Sequence, residues 1–476
     1  MTRGFPAGFL FGAATAAYQI EGAAHEDGRT DSIWDAFSRI PGTVVNAENG
    51  EVACDHYHRY TDDVALMKEL GLGTYRFSTS WSRVRPDNGP VNPKGIDFYS
   101  RLVDELLSAG IKPWLTLYHW DLPQALEEKG GWVNRDTAEL FRDYALSVHD
   151  ALGDRVGVWT TLNEPWCSAF VGYTAGVHAP GRQSKTDGLA AGHHLLLGHG
   201  LAAQALRERD PALELGITLN LTVAKPVDPA RPGDVDAARR IDGQLNRFFL
   251  DPLFRGSYPA DLLDDVAHLG FTELVRDGDL AQISQPLDSF GVNYYNGSLV
   301  SDLPTGSAQL SHDPTNRVTS SPFPAADGVF NHPQGLPVTA MDWEVQPDGL
   351  RELLVRVGAE YTGPAGTDLY VTENGAAYDD VVATDGAVHD ADRTLFLQLH
   401  LGAVLDAIDE GVDVKGYFYW SLMDNYEWAW GYQKRFGIVR VDYDTQERLV
   451  KDSGRAYAAI IAARSLPAAA EAALAK

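Results

Sequence analysis

Gly95-Ile96-Asp97-Phe98-Tyr99-Ser100-Arg101-Leu102-Val103-Asp104-Glu105-Leu106-Leu107-Ser108-Ala109-Gly110-Ile111-Lys112-Pro113-Trp114-Leu115-Thr116-Leu117-Tyr118 holds one full unit of the pattern that decides the fold. Across residues 95–109 apolar side chains return every three to four positions (Phe98, Leu102, Leu106, with Tyr99 and Val103 beside them), the period of a helix buried along one face. Gly110 stands where a helix closes on a left-handed residue. Residues 112–118 then form a short apolar and aromatic run, the signature of a buried strand. The same alternation extends outward to both ends. Further strands are predicted at 9–13, 74–78, 156–162, 214–220, 289–294, 368–372 and 415–420, making eight in all. Helical patterns at 62–70, 135–151, 188–209, 234–250 and 393–410 fall between them, and Gly71 repeats the punctuation of Gly110.

Strict alternation of strand and helix requires parallel strands joined by crossovers. Eight such units predict an α/β protein built as a closed (β/α)₈ or TIM barrel. An open doubly wound sheet is the alternative. The Gly-rich phosphate turn of a dinucleotide fold is missing after the early strands, and Gly71-Leu72-Gly73 reads as a helix stop.

The 476 residues are 44% hydrophobic and 22% charged, a globular composition that excludes disorder as the main state. Length alone suggests about three domains, but barrels routinely exceed that rule. No linker or internal repeat interrupts the pattern, so residues 1–476 are read as one catalytic domain. The surplus length belongs in loops at the C-terminal face of the strands. The longest, 297–345, is rich in Ser, Pro, Gly and Asp and reads as a rim over the mouth of the barrel. The tail from residue 465 reads as a frayed helix end.

With 66 Asp+Glu against 39 Lys+Arg, the net charge is −27. Such an excess repels nucleic acid and anionic membranes, so neither is expected as a partner. Two cysteines, Cys54 and Cys167, exclude a disulfide scaffold and suit a reducing compartment, hence a cytoplasmic location. The apolar start could pass for a leader, but Pro6 and three glycines interrupt it and Arg3 is its single basic residue. It reads as the first buried strand. No run approaches the roughly 18 apolar residues of a membrane helix.

Barrel enzymes carry their chemistry where the strands end at their C-terminal face. The fourth strand runs into Thr160-Thr161-Leu162-Asn163-Glu164-Pro165, and the seventh into Tyr370-Val371-Thr372-Glu373-Asn374-Gly375. Each places a Glu just before a turn. Eight strands about 4.8 Å apart and tilted about 36° give a radius of roughly 7–8 Å. Strands four and seven then stand roughly 14 Å apart across the mouth, and two inward Glu side chains leave roughly 6 Å between carboxyl groups. Retaining glycosidases need about 5–5.5 Å and inverting ones about 6.5–9.5 Å, so the geometry permits either outcome.

Sugars present flat apolar faces and rings of hydroxyls, and a sugar site therefore wants aromatic platforms beside polar groups. The other strand ends supply both. They carry Gln19 on the first strand, Arg76 on the second, His119-Trp120 on the third and Asn293-Tyr294-Tyr295 on the sixth. The eighth carries Trp420 and leads to Glu427-Trp428. Each alone has an ordinary packing role, and Trp81 keeps that role. Their shared position at one end of the barrel favours a site. Asp55-His56-Tyr57-His58 offers metal-ligand types, but His at i and i+2 do not share a helix face, and no His-Glu-x-x-His occurs. No metal or cofactor is expected. His193 and His194 read as structural, and a Gly-x-Ser-x-Gly elbow is missing.

These residues resemble glycoside hydrolase family 1, of the β-glucosidase type. The likeness runs nearly end to end, through residues 9–22, 75–81, the Thr-Leu-Asn-Glu-Pro and Val-Thr-Glu-Asn-Gly segments, Asn293-Tyr294-Tyr295 and Lys434-Arg435-Phe436-Gly437. The resemblance implies a retaining mechanism, with Glu164 as general acid/base and Glu373 as nucleophile. It implies Arg76 and Tyr295 as supports of the nucleophile. Asn163 is implied at the sugar 2-hydroxyl, and Gln19, His119, Trp120, Asn293, Glu427 and Trp428 around the sugar. Trp420 is implied as the platform and Trp343 as the aglycone platform. The phospho-sugar branch carries Ser where Glu427 stands, and the thioglucosidase branch carries Gln where Glu164 stands. An ordinary O-glycosidase acting on neutral sugars is therefore expected.

The implied activity is hydrolysis of terminal β-D-glucosyl residues from cellobiose, short oligosaccharides and aryl or alkyl glucosides (EC 3.2.1.21), as in cellulose degradation. A β-galactosidase or β-fucosidase emphasis, dominant transglycosylation and a non-catalytic sugar-binding barrel are the alternatives. The idle barrel would have lost Glu164 or Glu373, and both are present.

Overall fold

The computed structural model describes residues 3–308 and 313–467. Its centre is a closed barrel of eight parallel strands in sequential order. They are β1 (Leu10–Ala14), β2 (Thr74–Ser78), β3 (Lys112–Tyr118), β4 (Val158–Asn163), β5 (Glu214–Asn220), β6 (Ser289–Asn293), β7 (Asp368–Asn374) and β8 (Val414–Trp420). β1 closes the ring by pairing with both β2 and β8. The open doubly wound sheet is excluded.

Side chains alternate along each strand between two buried faces. The inward set includes Trp114, Val158, Tyr370 and Phe418, which plug the lower barrel. Trp114 meets Tyr370 and Phe418 edge-on, with ring centroids 4.8 and 5.0 Å away. Its indole N–H donates to Thr160 Oγ1 at 2.9 Å. The outward set, with Tyr75, Phe77, Leu115, Leu117, Trp159, Val371 and Tyr417, packs into the main core under the helices. Gly12 is required where β1 meets its neighbours, because a Cβ there would lie 2.7 Å from both Phe418 and Thr74. The helix Pro93–Ser108 buries Phe98, Tyr99, Leu102, Val103 and Leu106, and Gly71 and Gly110 close their helices at φ +74° and +78°.

Three expectations are corrected. The helical pattern at 234–250 is not one helix. It is divided into Pro232–Asp242, a π-helical turn Gly243–Arg247 and Phe248–Arg255. Segment 297–345 is not structureless. Ser298–Ser301, Ser307–Ala308 and Phe330–His332 join Ala224–Pro226 in a four-stranded sheet. Strands of two to four residues carry too few positions to display alternation. β4 and β7 run on through Asn163 and Asn374, beyond the apolar runs, because polar residues continue the ladder. The tail from residue 465 lies outside the described residues beyond 467. Among the described residues no helix is long and apolar enough to cross a membrane.

The ladder irregularities matter most. β4 against β5 shifts register between Thr160 and Asn163, and β7 against β6 shifts between Val371 and Glu373. An extra residue in one strand re-aims the side chains that follow. Both carboxylates sit at such a shift.

Candidate active site

A cavity of about 440 Å³ opens at the C-terminal end of the barrel. His119, Trp120, Glu164, Asn293, Tyr295, Trp343, Glu373, Trp420, Glu427 and Trp428 all line it. Gln19, Arg76 and Asn163 stand behind that lining, each almost wholly buried. Segment 297–345 supplies part of the wall, including Phe323, Asn331 and Trp343.

Four lining residues, Trp120, Glu164, Asp342 and Trp428, hold left-handed backbone at φ +76°, +47°, +58° and +50°. Side chains pay for such conformations, which persist where the surrounding structure enforces them. At Trp120 the indole N–H donates to the Asn163 carbonyl at 2.9 Å. Trp428 packs among Trp34 and Trp120, ring centroids 4.6 and 4.5 Å away. Trp420 stacks on His119 at 5.7 Å, and Trp343 leans on Tyr295 at 5.4 Å. The cavity thus has aromatic walls around two acids.

The two carboxylates have unlike surroundings. Glu373 Oε1 accepts from Arg76 at 2.7 Å, and its Oε2 accepts from the Tyr295 hydroxyl at 2.7 Å. Glu164 has no cation in direct contact among the described residues. Its Oε1 accepts from Asn293 Nδ2 at 2.6 Å, and Cys167 Sγ lies 3.1 Å from its Oε2. Burial pushes the Glu164 carboxyl well up, and the charge of Glu373 pushes it further; Asn293, Cys167 and Arg76 offset only part of this. Burial raises Glu373 too, but there Arg76, Tyr295 and Asn293 all favour the anion. When the pair holds one proton, it rests on Glu164.

Asn163 joins the two. Its Oδ1 accepts from Arg76 at 2.5 Å and from Asn293 at 3.0 Å. Thr372 donates to Asn293 Oδ1 at 2.8 Å, fixing which way that amide faces. The Asn163 Nδ2 is then left to donate to His119 Nε2 at 3.0 Å, which makes His119 a neutral ring protonated at Nδ1. Burial, then Arg76, holds His119 well below the usual imidazole range, in agreement. Gln19 donates to Asn425 Oδ1 at 3.0 Å and to the Tyr426 carbonyl at 2.8 Å, tying β1 to the loop that carries Glu427. Glu427 is pushed up to about 8 by burial and by the charges of Glu373 and Glu164. Gln19 Oε1, His119 Nδ1 and Glu427 Oε2 are buried without a partner among the described residues.

Sequence reasoning missed several features. Asn220 lines the cavity from the end of β5, the one strand to which no site residue was assigned beforehand; the strand-end rule finds it directly. Phe323 and Asn331 belong to a segment without a period. The charged cluster behind Glu427 was also missed. Asp424 lies between Arg435 at 2.6 Å and Lys451 at 2.7 Å. Lys451 also pairs with Asp380, and Arg393 pairs with Asp380 and Asp390, all nearly solvent-free. Its members lie far apart in sequence and show no motif. Outside the cavity, His56 pairs with Asp63, and His58 with Asp55 and Glu26. His193 bonds Tyr258 and Asp279, and Trp81 stacks on Tyr144 in the core.

Two unlike carboxylates facing one aromatic-walled cavity at the top of a (β/α)₈ barrel define the class of barrel glycosidases. The family model for glycosyl hydrolase family 1 matches residues 1–466, and the chain belongs to that family. β-Glucosidase A of Thermotoga maritima is 46% identical over 460 residues, covering 96% of this chain and 97% of that protein. A bifunctional β-D-glucosidase/β-D-fucosidase of Bifidobacterium breve is 48% identical over 477 residues, covering 98% and 100%. The crystal structure of a psychrophilic β-glucosidase from Micrococcus antarcticus superposes with a TM-score of 0.94 at 57% identity, covering 97% of this chain and 98% of that one.

Proposed function

We propose that this chain is a retaining β-glucosidase that removes terminal β-D-glucosyl residues from cellobiose, short cello-oligosaccharides and aryl or alkyl glucosides. The observation that carries this reading is the asymmetry of the acid pair, with Glu373 held as an anion by Arg76 and Tyr295 and Glu164 left to keep the proton. Family membership and the β-glucosidases at 46–50% identity support the substrate class.

In the first step Glu373 attacks the anomeric carbon while Glu164 protonates the departing oxygen. Esterification removes the charge of Glu373, one of the two causes that raise Glu164. Glu164 therefore becomes more acidic at the stage where it must act as a base on water. Asn163, behind the cavity and already bound to Arg76 and Asn293, is oriented for the 2-hydroxyl. Glu427 and Gln19 serve the far edge of the sugar, Trp420 its face, and Trp343 the aglycone. Glu427 fills the position where the phospho-sugar branch carries Ser, and Lys434 is engaged over the Trp430 ring and donates to the Ala340 carbonyl. Neutral sugars are the substrates. No cofactor enters this scheme. Residues 1–476 act as one catalytic domain, and the two free thiols suit a cytoplasmic setting.

A β-fucosidase activity is the second reading, favoured by the bifunctional relative. Initial rates on p-nitrophenyl β-glucoside, β-fucoside, β-galactoside, 6-phospho-β-glucoside and α-glucoside test both, with the anomer of the first product followed by NMR. Preference for neutral β-glucoside with a β-configured first product is expected. An α-configured first product overturns retention. No turnover on any β-glycoside overturns the catalytic reading and favours the idle sugar-binding barrel.

A further inference from the structure

Cys167 begins the helical segment after β4, and its backbone N–H donates to the Glu164 carbonyl at 3.0 Å. Its Sγ therefore returns to the Glu164 side chain, 3.1 Å from Oε2. Among the described residues it is the one side chain in hydrogen-bond contact with that oxygen, and Asn293 donates to Oε1. An amide N–H can only donate, so Oε1 is held as an acceptor and the acid proton belongs on Oε2. The atom beside that proton is the thiol. A thiol is both a weak donor and a weak acceptor.

We propose that Cys167 is a positioning residue for the acid/base. Its thiol holds Glu164 Oε2, accepting weakly from the acid before glycosyl transfer and donating to the carboxylate afterwards. This rests on Glu164 being the acid/base. Weakness is the useful property here. A strong acceptor at Oε2 would keep the proton from the departing oxygen, and an apolar side chain would leave the carboxylate undersupported during hydrolysis of the intermediate. Burial and the adjacent carboxylates keep the thiol itself protonated, so it contributes no charge. The groups facing Glu164 from other elements are Glu373 on β7, Arg76 on β2, and Asn293 and Tyr295 at the end of β6. Glu427 faces it from the loop after β8. None of these depends on the thiol for its own partner.

The test is a pH profile of Cys167→Ala, with Cys167→Ser as the variant that keeps a hydroxyl donor and acceptor. Loss of the donor raises Glu164, so the alkaline limb of kcat/KM for cellobiose moves up by about half a pH unit. For dinitrophenyl β-glucoside, whose leaving group needs no acid, kcat falls about threefold while kcat/KM is unchanged. Cys167→Ser brings both back toward the parent. A merely structural role lowers both parameters together with the limb fixed, and that result overturns the proposal, as does an unaltered profile. Glu164→Ala is run beside them. If it does not lose cellobiose activity far more than dinitrophenyl glucoside activity, the acid/base assignment falls. If it does, and Cys167→Ala is silent, the thiol proposal alone falls.

Discussion

Arg76 and Glu373 form an ion pair of 2.7 Å at the top of the barrel, with side-chain exposures of 1% and 3%. The same guanidinium reaches Asn163 Oδ1 at 2.5 Å. One cation on β2 thus orients the Glu373 carboxylate of β7 and the Asn163 amide of β4. Replacing it by Met leaves a buried anion without its partner, at a cost of about 3–5 kcal/mol of stability. The effect on rate has a defined sign. Glu373 acts as an anion, so activity falls as pH drops through its pKa, and losing Arg76 raises that pKa. The acid limb of kcat/KM in Arg76→Met is expected to move to higher pH. A fixed limb with an unchanged melting temperature would show that the pair does neither job.

Glu373→Ala removes the attacking oxygen while leaving the cavity intact. Turnover of aryl β-glucosides is expected to fall by at least about 10⁴-fold. Added azide or formate enters the vacated space and partly restores the rate. Because the small nucleophile attacks once, azide yields the α-glucosyl azide. A β-configured azide, or equal rescue of Glu164→Ala and Glu373→Ala with one product anomer, would exchange the two roles.

Glu164→Ala separates acid catalysis from the rest. The glucose that departs from cellobiose is a poor alkoxide leaving group, so kcat/KM for cellobiose should fall about 10²–10⁴-fold. Dinitrophenyl β-glucoside needs no proton and should keep most of its kcat/KM. Its kcat should fall because the intermediate is then hydrolysed without a base. Rapid-mixing experiments should show a burst of dinitrophenolate in this variant.

The contrast between these residues and those behind them explains what was legible in the sequence. Glu164 and Glu373 follow apolar runs, and a parallel barrel exposes strand ends at one face, so their meeting could be argued from order alone. The same rule reaches His119, Trp120, Asn293 and Trp420. Applied to every strand, it also reaches Asn220 at the end of β5. The register shifts before Glu164 and Glu373 are invisible because one extra residue does not disturb an apolar run. Trp343 was legible through family resemblance and Asn331 not at all, since the short strands of 297–345 gain their order from pairing with each other and with Ala224–Pro226. The fold was periodic and therefore readable, whereas the wall of the cavity was tertiary.

Lys451 illustrates the tertiary part. It is 0% exposed at its side chain, joins Asp424 at 2.7 Å and also pairs with Asp380. Asp424 in turn accepts from the Gly437 N–H at 3.0 Å, bracing the loop that presents Glu427 and Trp428. Lys451→Met leaves two buried carboxylates short of a cation. A loss of about 3–5 kcal/mol is expected, read as a lowered denaturant midpoint. Because Glu427 and Trp428 of the braced loop line the cavity, KM for β-glucosides should rise more than kcat falls. An unaltered KM in a destabilised variant would confine the network to stability.

Tyr295→Phe isolates the other hydrogen-bond partner of Glu373. The hydroxyl donates to Glu373 Oε2 at 2.7 Å, and the ring also packs tilted against Trp343, with centroids 5.4 Å apart. Phe keeps the ring and loses the donor. Glu373 must regain its charge when the intermediate breaks down, and one hydrogen bond to a charged group is worth about 1.5–3 kcal/mol. Hydrolysis of the intermediate should therefore slow by about 10–100-fold, seen as a lower kcat on fast-leaving aryl glucosides. The acid limb should move up, in the same direction as in Arg76→Met but less, because a neutral donor is lost and not a full charge. If Tyr295→Phe moves the limb further than Arg76→Met, the hydroxyl and not the guanidinium is the dominant partner of Glu373.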